Sequence, residues 1–272
     1  MKKYNGYALV TGGDGGIGYC IAEQLAMNGY NLVLVARNKA ALEKVKEQIA
    51  SKYKVDVIIF IKDLSEITAA KEVYDYVQEK EIHIALLVNN AGFGDWSLFE
   101  DSKCEIDVKM IELMCTSLTA LTYVFLPDMI KNGEGGIILI SSFASRIHFP
   151  KFAVYAACKA FVSSFGITLN FELQSKNIDV LVVCPAVIKT PFYKEGELKG
   201  KLEQGQKKLL GLKFYSPEKV AQQIVKSLGK KIEIVIGGLL EKFFFYIHPF
   251  TPLIIQRWMM RNYYKKTYKL KY

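Results

Sequence analysis

Tyr7-Ala8-Leu9-Val10-Thr11-Gly12-Gly13-Asp14-Gly15-Gly16-Ile17-Gly18 decides the fold of this chain. Its apolar start runs straight into glycines with no polar alternation, the pattern of a strand buried on both faces. Over residues 16–27 the spacing becomes helical. Ile17, Ile21 and Leu25 share a stripe with Ala22 and Ala26, and Asn28-Gly29 is a stop signal. A buried strand, a glycine turn and a helix form the first half of a parallel βαβ unit.

The same alternation continues outward. Further strands are expected at 31–36, 56–61, 84–88, 136–140, 180–183 and 232–236. Helices are expected at 39–52, where Leu42, Val45 and Ile49 line one face, at 66–80, and at about 106–130 with Pro127 near its end. Two more follow at 155–174 and from Ser216-Pro217-Glu218 to 228, the latter with Ser as cap and Pro in the first turn. The fold class is α/β, a Rossmann-like doubly wound parallel sheet of about seven strands over residues 1–238. Residues 239–272 form a C-terminal basic and aromatic extension.

Composition bounds the function. The 272 residues are 51% hydrophobic and 23% charged, enough for one large core. Five cysteines, at positions 20, 104, 115, 158 and 184, form no C-x-x-C pair and are odd in number. They read as reduced thiols, so a cytoplasmic protein is expected. His83, His148 and His248 do not cluster in sequence, and no metal is assigned. Met1-Lys2-Lys3 superficially resembles a signal peptide, but the apolar run behind it covers only 7–10 and is a strand. No apolar stretch is expected to reach the ~20 residues of a spanning helix. The net charge of +9 is uneven. Residues 239–272 hold seven basic residues against Glu241 alone, net +6, which leaves about +3 on the body. No nucleic-acid motif stands in the body, so no nucleic-acid partner is expected.

Two patterns carry chemistry. In the glycine turn, backbone can approach a ligand closely, and the following helix N-terminus attracts a pyrophosphate. The alternative is an ordinary glycine-rich βα turn. Tyr155-Ala156-Ala157-Cys158-Lys159 places a phenol and an ammonium on one helical face, and a nearby ammonium lowers a phenol's pKa. Such a phenol suits proton exchange with a carbonyl or alcohol oxygen. A solvated helix face is the alternative for a lone Y-x-x-x-K. Ser142 stands thirteen residues upstream, at the end of a strand.

Thr11-Gly12…Gly16-Ile17-Gly18, Asp63-Leu64, Asn89-Asn90-Ala91-Gly92, Ser142, Tyr155…Lys159 and Pro185-Ala186-Val187-Ile188-Lys189-Thr190 follow one another as in a known family. As a set, over about residues 5–238, the sequence resembles the short-chain dehydrogenase/reductase family. The resemblance implies an NAD(P)-dependent oxidoreductase. It implies Tyr155 as general acid/base, Lys159 as the residue that holds the nicotinamide ribose and lowers the Tyr pKa, and Ser142 as the residue that orients the carbonyl. It further implies cofactor contacts at Gly12, Asp14, Gly16, Ile17, Gly18, Asp63 near the adenine, Leu64, Asn90, Ala91, Gly92, Pro185, Ile188 and Thr190. Asp63 also reads as a plain helix cap, and Ser142 as loop polarity.

Charge bears on the choice of cofactor. Where a carboxylate would bond the ribose hydroxyls of NAD, this chain has Ala36 followed by Arg37, and a guanidinium suits a 2′-phosphate. Asp14 in the glycine turn argues the other way. NADP is favoured, with NAD as the alternative.

The sequence departs from the family pattern at three positions. Met114 occupies the place of an Asn in the long helix which, in the family, holds a water for proton relay to the Lys. A thioether replaces neither role of an amide, so either a neighbour substitutes, water enters unaided, or turnover is slow. Thr116 or Ser117 is a candidate substitute. Cys158 stands where Ser is common and should be silent. Ala186 replaces a common Gly, so the turn there must accept a Cβ.

Phe143, Phe149, Phe152, Phe192 and Tyr193 fall near the expected substrate side, with His148-Phe149-Pro150 at the mouth. A hydrophobic ketone or alcohol is the expected substrate, long-chain 3-oxoacyl and steroid-like compounds among the compatible classes. A non-catalytic nucleotide-binding or scaffold protein on the same fold is the second reading. Residues 189–215, polar and glycine-punctuated, are expected to form a lid. A homo-oligomer is expected. The aromatic and basic tail suits either peripheral contact with the inner face of a membrane or packing on protein.

Overall fold

β1 (Tyr7–Thr11) is the central strand of the sheet. The structure, a computed structural model, describes residues 2–190, 208–209 and 212–268, with residues 208–209, 212 and 263–268 by backbone alone. β2 (Leu32–Ala36) and β3 (Val57–Ile61) lie to one side of β1. β4 (Ile84–Asn89), β5 (Gly135–Ile140), β6 (Ile178–Pro185) and β9 (Glu233–Ile236) lie to the other. All six pairings in this seven-stranded sheet, ordered β3-β2-β1-β4-β5-β6-β9, are parallel.

Strict alternation along fully apolar strands feeds two cores. Ala8, Val10, Leu32 and Leu34 pack with Ile21 and Leu25 of α1 (Gly16–Met27), Leu42 and Ile49 of α2 (Lys39–Tyr53), and Val220 and Ile224 of α7 (Pro217–Ser227). Leu9, Val33 and Val35 point the opposite way. They meet Val73 and Val77 of α3 (Ala69–Glu79), Leu121 and Phe125 of α5 (Leu118–Lys131), and Val162 and Leu169 of α6 (Ala153–Leu173). These residues are almost wholly buried. At roughly 2 kcal/mol for each fully buried large side chain, the two layers dominate what holds the sheet together. Asn38 caps α2 by accepting from the Ala41 N–H at 3.1 Å, and Ser216 caps α7 from the Lys219 N–H at 3.3 Å.

The long helix expected at 106–130 is three pieces in line: α4 (Cys104–Ile111), a π-helical turn (Glu112–Ser117) and α5. A π turn inserts an extra residue into the helical ladder and recurs at functional sites. It contains Met114. Cys104–Lys131 and Ala153–Lys176 are both long and apolar enough to cross a bilayer by length and composition, which corrects the expectation that no stretch reaches that size. Each lays an apolar face on the sheet, and this role accounts for the composition.

Between β6 and α7, the short strands β7 (Lys208–Leu209) and β8 (Leu212–Lys213) pair antiparallel, a feature the sequence did not signal. Tyr215 bridges to Ile188, its N–H donating to the Val187 carbonyl at 2.9 Å. The lid expected over 189–215 otherwise lies outside the described residues, as do Phe192 and Tyr193. Beyond β9, α8 (Leu239–Ile247) and α9 (Leu253–Tyr268) run on from the body. Phe245 anchors α8, fully buried against Phe143 with ring centroids 5.8 Å apart. The Arg146 guanidinium stacks over the Phe245 ring at 4.6 Å and pairs with Glu233 at 2.9 Å.

Candidate active site

The sheet order reverses at β1 and β4, and a crevice opens at the C-terminal ends of the strands there. A cavity of about 480 Å³ occupies it. The glycine turn forms one end, with Gly12, Asp14, Gly16 and Ile17 as walls. Gly12 and Gly16 take φ of +64° and +56°, conformations that favour glycine. The N-terminus of α1 has no side-chain cap and no acidic residue in its first turn, so its N–H groups face an incoming anion.

Gly18 is not a wall of the cleft. A Cβ there would lie 2.1 Å from the Gly12 carbonyl oxygen and 2.5 Å from Asn90 Nδ2, so its bare Cα lets α1 close onto the turn. Asn90 braces the same turn. Its amide donates to the Thr11 carbonyl at 2.9 Å and to the Gly12 carbonyl at 3.2 Å. The Thr11 hydroxyl accepts the Asn90 and Ala91 N–H groups, each at 2.9 Å. Strand ends β1 and β4 are therefore locked together by the residues that shape the cleft.

Arg37 and Asn38 stand at the rim. A neighbouring cavity of about 370 Å³ shares Gly12, Asp14, Arg37, Ala91 and Gly92 with the first and adds Lys62, Asp63 and Leu64. Arg37 pairs with Asp63 at 3.5 Å. The Asp63 carboxylate also accepts from the Ser65 N–H at 3.0 Å and the Ser65 hydroxyl at 2.7 Å. Burial alone would raise the Asp63 pKa, but these hydrogen bonds and the guanidinium hold it below the usual range. Asp63 lines the cleft, but it caps no helix: the next helix begins at Ala69, and the carboxylate ties the turn at Ser65 instead. Lys62, which the sequence reading passed over, pairs with Glu66 at 2.6 Å and Glu72 at 2.7 Å.

At the far end, Ser142, Tyr155 and Lys159 come together, with Pro185, Ile188 and Thr190 opposite. Ser142 lies two residues past β5, where it caps the turn at Phe143–Ser145, and Tyr155 and Lys159 sit one turn apart at the start of α6. The Ser141 hydroxyl ties the two elements by donating to the Lys159 carbonyl at 2.7 Å. Lys159 is buried and its Nζ donates to the Ile140 carbonyl at 2.8 Å. Burial pulls its ammonium down to about 8, against the opposing pull of three thiols, Cys158 foremost. Burial pushes the Tyr155 phenol up to about 12, opposed by a hydrogen bond with Ser142. The expectation that Lys159 lowers this phenol is corrected for the protein alone. The ammonium lies 5.7 Å from the ring centroid and is not among the groups that shift the phenol, for which burial is the largest cause.

Met114 packs with Met110 and Cys158, and its Sδ lies 3.0 Å from where a Cβ on Gly92 would sit. Neither proposed substitute takes its place: Thr116 faces solvent, and Ser117 is buried with no hydrogen-bond partner among the described residues. Cys158 is buried and hydrogen-bonded to Cys115. Ala186 has no positive φ, so its Cβ is accommodated.

On the substrate side, Phe152 packs edge-on to Trp96 at 4.3 Å and tilts against Tyr155 at 5.4 Å, with Phe149 and Ala144 in the same cluster. Trp96 and the cleft residue Phe93 were not picked out from the sequence, since no periodic pattern marks a loop residue. Phe143 turns away from the mouth into the core behind β6. His148 and His248, distant in sequence, place their rings 5.5 Å apart, a correction to their reading as unclustered.

The comparisons agree with this geometry. A family model described as short chain dehydrogenase matches residues 6–199. Inactive hydroxysteroid dehydrogenase-like protein 1 of Homo sapiens is 33% identical over 198 residues, which cover 70% of this chain and 58% of that protein. The chain thus spans little more than half the length of that relative. Very-long-chain 3-oxoacyl-CoA reductase of Homo sapiens is 28% identical over 276 residues, covering 97% of this chain and 83% of that one. A short-chain dehydrogenase from Sphingobium yanoikuyae in complex with NADPH superposes with a TM-score of 0.75 at 27% identity, covering 85% of this chain and 87% of that one. A parallel sheet with its crevice at the β1/β4 reversal, a glycine turn facing an uncapped helix, and Ser142, Tyr155 and Lys159 in one cleft leave one assignment: the chain belongs to the short-chain dehydrogenase family of NAD(P)-dependent oxidoreductases.

Proposed function

We propose that the chain is an NADPH-dependent reductase of a hydrophobic ketone, of the 3-oxoacyl or another lipid-like class. The observation that carries this reading is the continuity of one cleft from the glycine turn and Arg37 to Tyr155 and Lys159. The residues fit a dinucleotide. The uncapped α1 N-terminus suits its pyrophosphate, and Arg37 suits a 2′-phosphate. When bound, the cofactor supplies a hydride to the carbonyl carbon. The phenol of Tyr155 gives its proton to the carbonyl oxygen, so the product is the alcohol. Ser142, hydrogen-bonded to Tyr155, orients that oxygen. Lys159 holds the ribose and presents positive charge to the phenolate left behind. The aromatic cluster of Trp96, Phe149 and Phe152 favours an apolar substrate.

The second reading is a nucleotide-binding protein without turnover, favoured by the relative named inactive and by Met114. One experiment separates the two. NADPH oxidation is followed with a panel of ketones and 3-oxoacyl thioesters, for the wild type and Tyr155→Phe. Turnover in the wild type that falls about 10²–10⁴-fold in the variant, with NADPH binding kept, supports the reductase. NADPH binding without turnover on any substrate supports the second reading.

A further inference from the structure

We propose that the segment from Leu239 to Met259, with the basic helix that continues it, is a docking surface for an anionic lipid bilayer and lies in the plane of the membrane interface. Both helices of the segment are two-sided. Glu241, Phe245, His248 and Gln256 turn inward and are buried. Leu239, Phe250, Ile254 and Trp258 turn outward, at 89%, 84%, 78% and 66% exposure. Phe243, Phe244, Tyr246, Ile247 and Leu253 are exposed beside them. Single exposed apolar side chains need no explanation, but a contiguous run of this size marks an interaction surface.

Charge identifies the occupant. Residues 239–272 carry seven basic residues and one acidic, and that one, Glu241, is buried with its carboxylate accepting the Lys213 N–H at 3.4 Å. Among the described residues, the outer face presents apolar groups beside the exposed Arg257 and Arg261, with no exposed carboxylate from this segment. A second copy on a two-fold axis would set +6 against +6, which opposes self-pairing. An anionic bilayer complements both features.

Helical geometry agrees. Ile254 and Trp258 stand one turn apart, with Arg257 and Arg261 in the adjoining row. A tryptophan between arginines suits the boundary of headgroup and acyl chain. α8 has 9 residues and α9 has 16, below the ~20 needed to span, and Pro249 and Pro252 interrupt the chain between them. The surface adjoins the loop between Ser142 and Tyr155: His148 lies 3.4 Å from Gln256, and its ring centroid is 5.5 Å from that of His248. The inference is independent of which carbonyl the cleft reduces.

Its test uses the full chain with phosphatidylcholine vesicles, with and without phosphatidylserine. Co-sedimentation is expected only with phosphatidylserine, and it should weaken as salt rises. Arg257→Glu/Arg261→Glu should cut the bound fraction at least about tenfold, since each basic residue adds measurably to attraction for an anionic surface. Phe250→Ser/Ile254→Ser/Trp258→Ser should do the same. All of these side chains are exposed, so the fold is kept, and an unchanged melting temperature checks this. Absence of binding to anionic vesicles overturns the proposal, as does equal binding by the wild type and the charge-reversed variant. A triple-serine variant that falls from oligomer to monomer in solution, with no vesicle binding by the wild type, assigns the surface to a second copy instead.

Discussion

Lys159 donates to the Ile140 main-chain carbonyl at 2.8 Å from a position only 4% exposed. An ammonium so placed costs stability. Its pKa falls from an ordinary 10.5 to about 8, so below pH 8 the lysine carries its proton in both folded and unfolded chains. The folded chain then bears a penalty of about 3 kcal/mol, less any relaxation at the site. Between pH 8 and 10.5 the unfolded chain binds more protons, so stability rises with pH in that window. Lys159→Met removes this dependence and leaves the Ile140 carbonyl short of one donor at every pH. Relative to wild type, the variant should gain about 2 kcal/mol on going from pH 10 to pH 7, while turnover is lost. Denaturant melts at the two pH values measure it, and parallel curves would sink the argument.

The same pair of shifts sets the alkaline limb of activity. Tyr155 keeps its proton to about pH 12, whereas Lys159 loses its charge near pH 8. The kcat/KM for NADPH reports groups of the free enzyme. It should fall above about pH 8 as the ribose-holding charge disappears, long before the phenol titrates. A plateau reaching pH 10 would show that Lys159 is not the group in control.

Arg37→Asp should exchange NADP preference for NAD preference. A charge-assisted contact to a 2′-phosphate is worth about 1.5–3 kcal/mol, so NADPH affinity should drop by roughly ten- to a hundredfold or more. The new carboxylate would face Asp63, the present partner of Arg37 at 3.5 Å. Isothermal titration with both cofactors decides it. Equal wild-type affinities for NADPH and NADH would refute the charge argument.

Two glycines of one turn should behave in opposite ways. A Cβ at Gly15 meets nothing within 4 Å, and its φ of 178° suits any residue, so Gly15→Ala should change stability by less than about 0.5 kcal/mol. Gly18→Ala would drive a Cβ into backbone at 2.1 Å and should cost at least about 1–3 kcal/mol together with NADPH binding. Thermal melts with and without NADPH read both.

The sheet was legible because each strand is a short apolar run bounded by turn residues, and such runs have few other solutions in a chain alternating with helices. The meeting of Tyr155 and Lys159 in the cleft was legible because they belong to one helix, where spacing alone sets the face. What was not legible depends on packing between elements. Gly18 reads like a cofactor glycine, yet the close approach of the Gly12 carbonyl makes it a packing glycine. Phe143 precedes the mouth in sequence, but the turn at Phe143–Ser145 points it at Phe245, a residue far along the chain. The π turn at Glu112–Ser117 breaks no periodicity strongly enough to be seen beforehand. His148 and His248 meet only because the segment after β9 folds back over the loop between Ser142 and Tyr155.

Met114→Asn separates packing from proton relay. The side chain is 1% exposed and fills the space beside Gly92, which also lies close to Lys159. Asn is shorter and polar there. It gives up the thioether's contacts with Met110 and Cys158 and must find partners for a buried amide. A loss of about 2–4 kcal/mol is expected, or roughly 5–15 °C in Tm for a chain of this size. The amide oxygen would gain an acceptor position within reach of the ammonium's surroundings, so kcat per folded molecule should hold or rise. Melting curves and active-site titration must be measured on the same preparation. A preserved Tm would show that Met114 is not a packing residue. A lower kcat in protein that is still folded would show that the thioether positions Lys159 or the substrate, and the relay account would then be wrong.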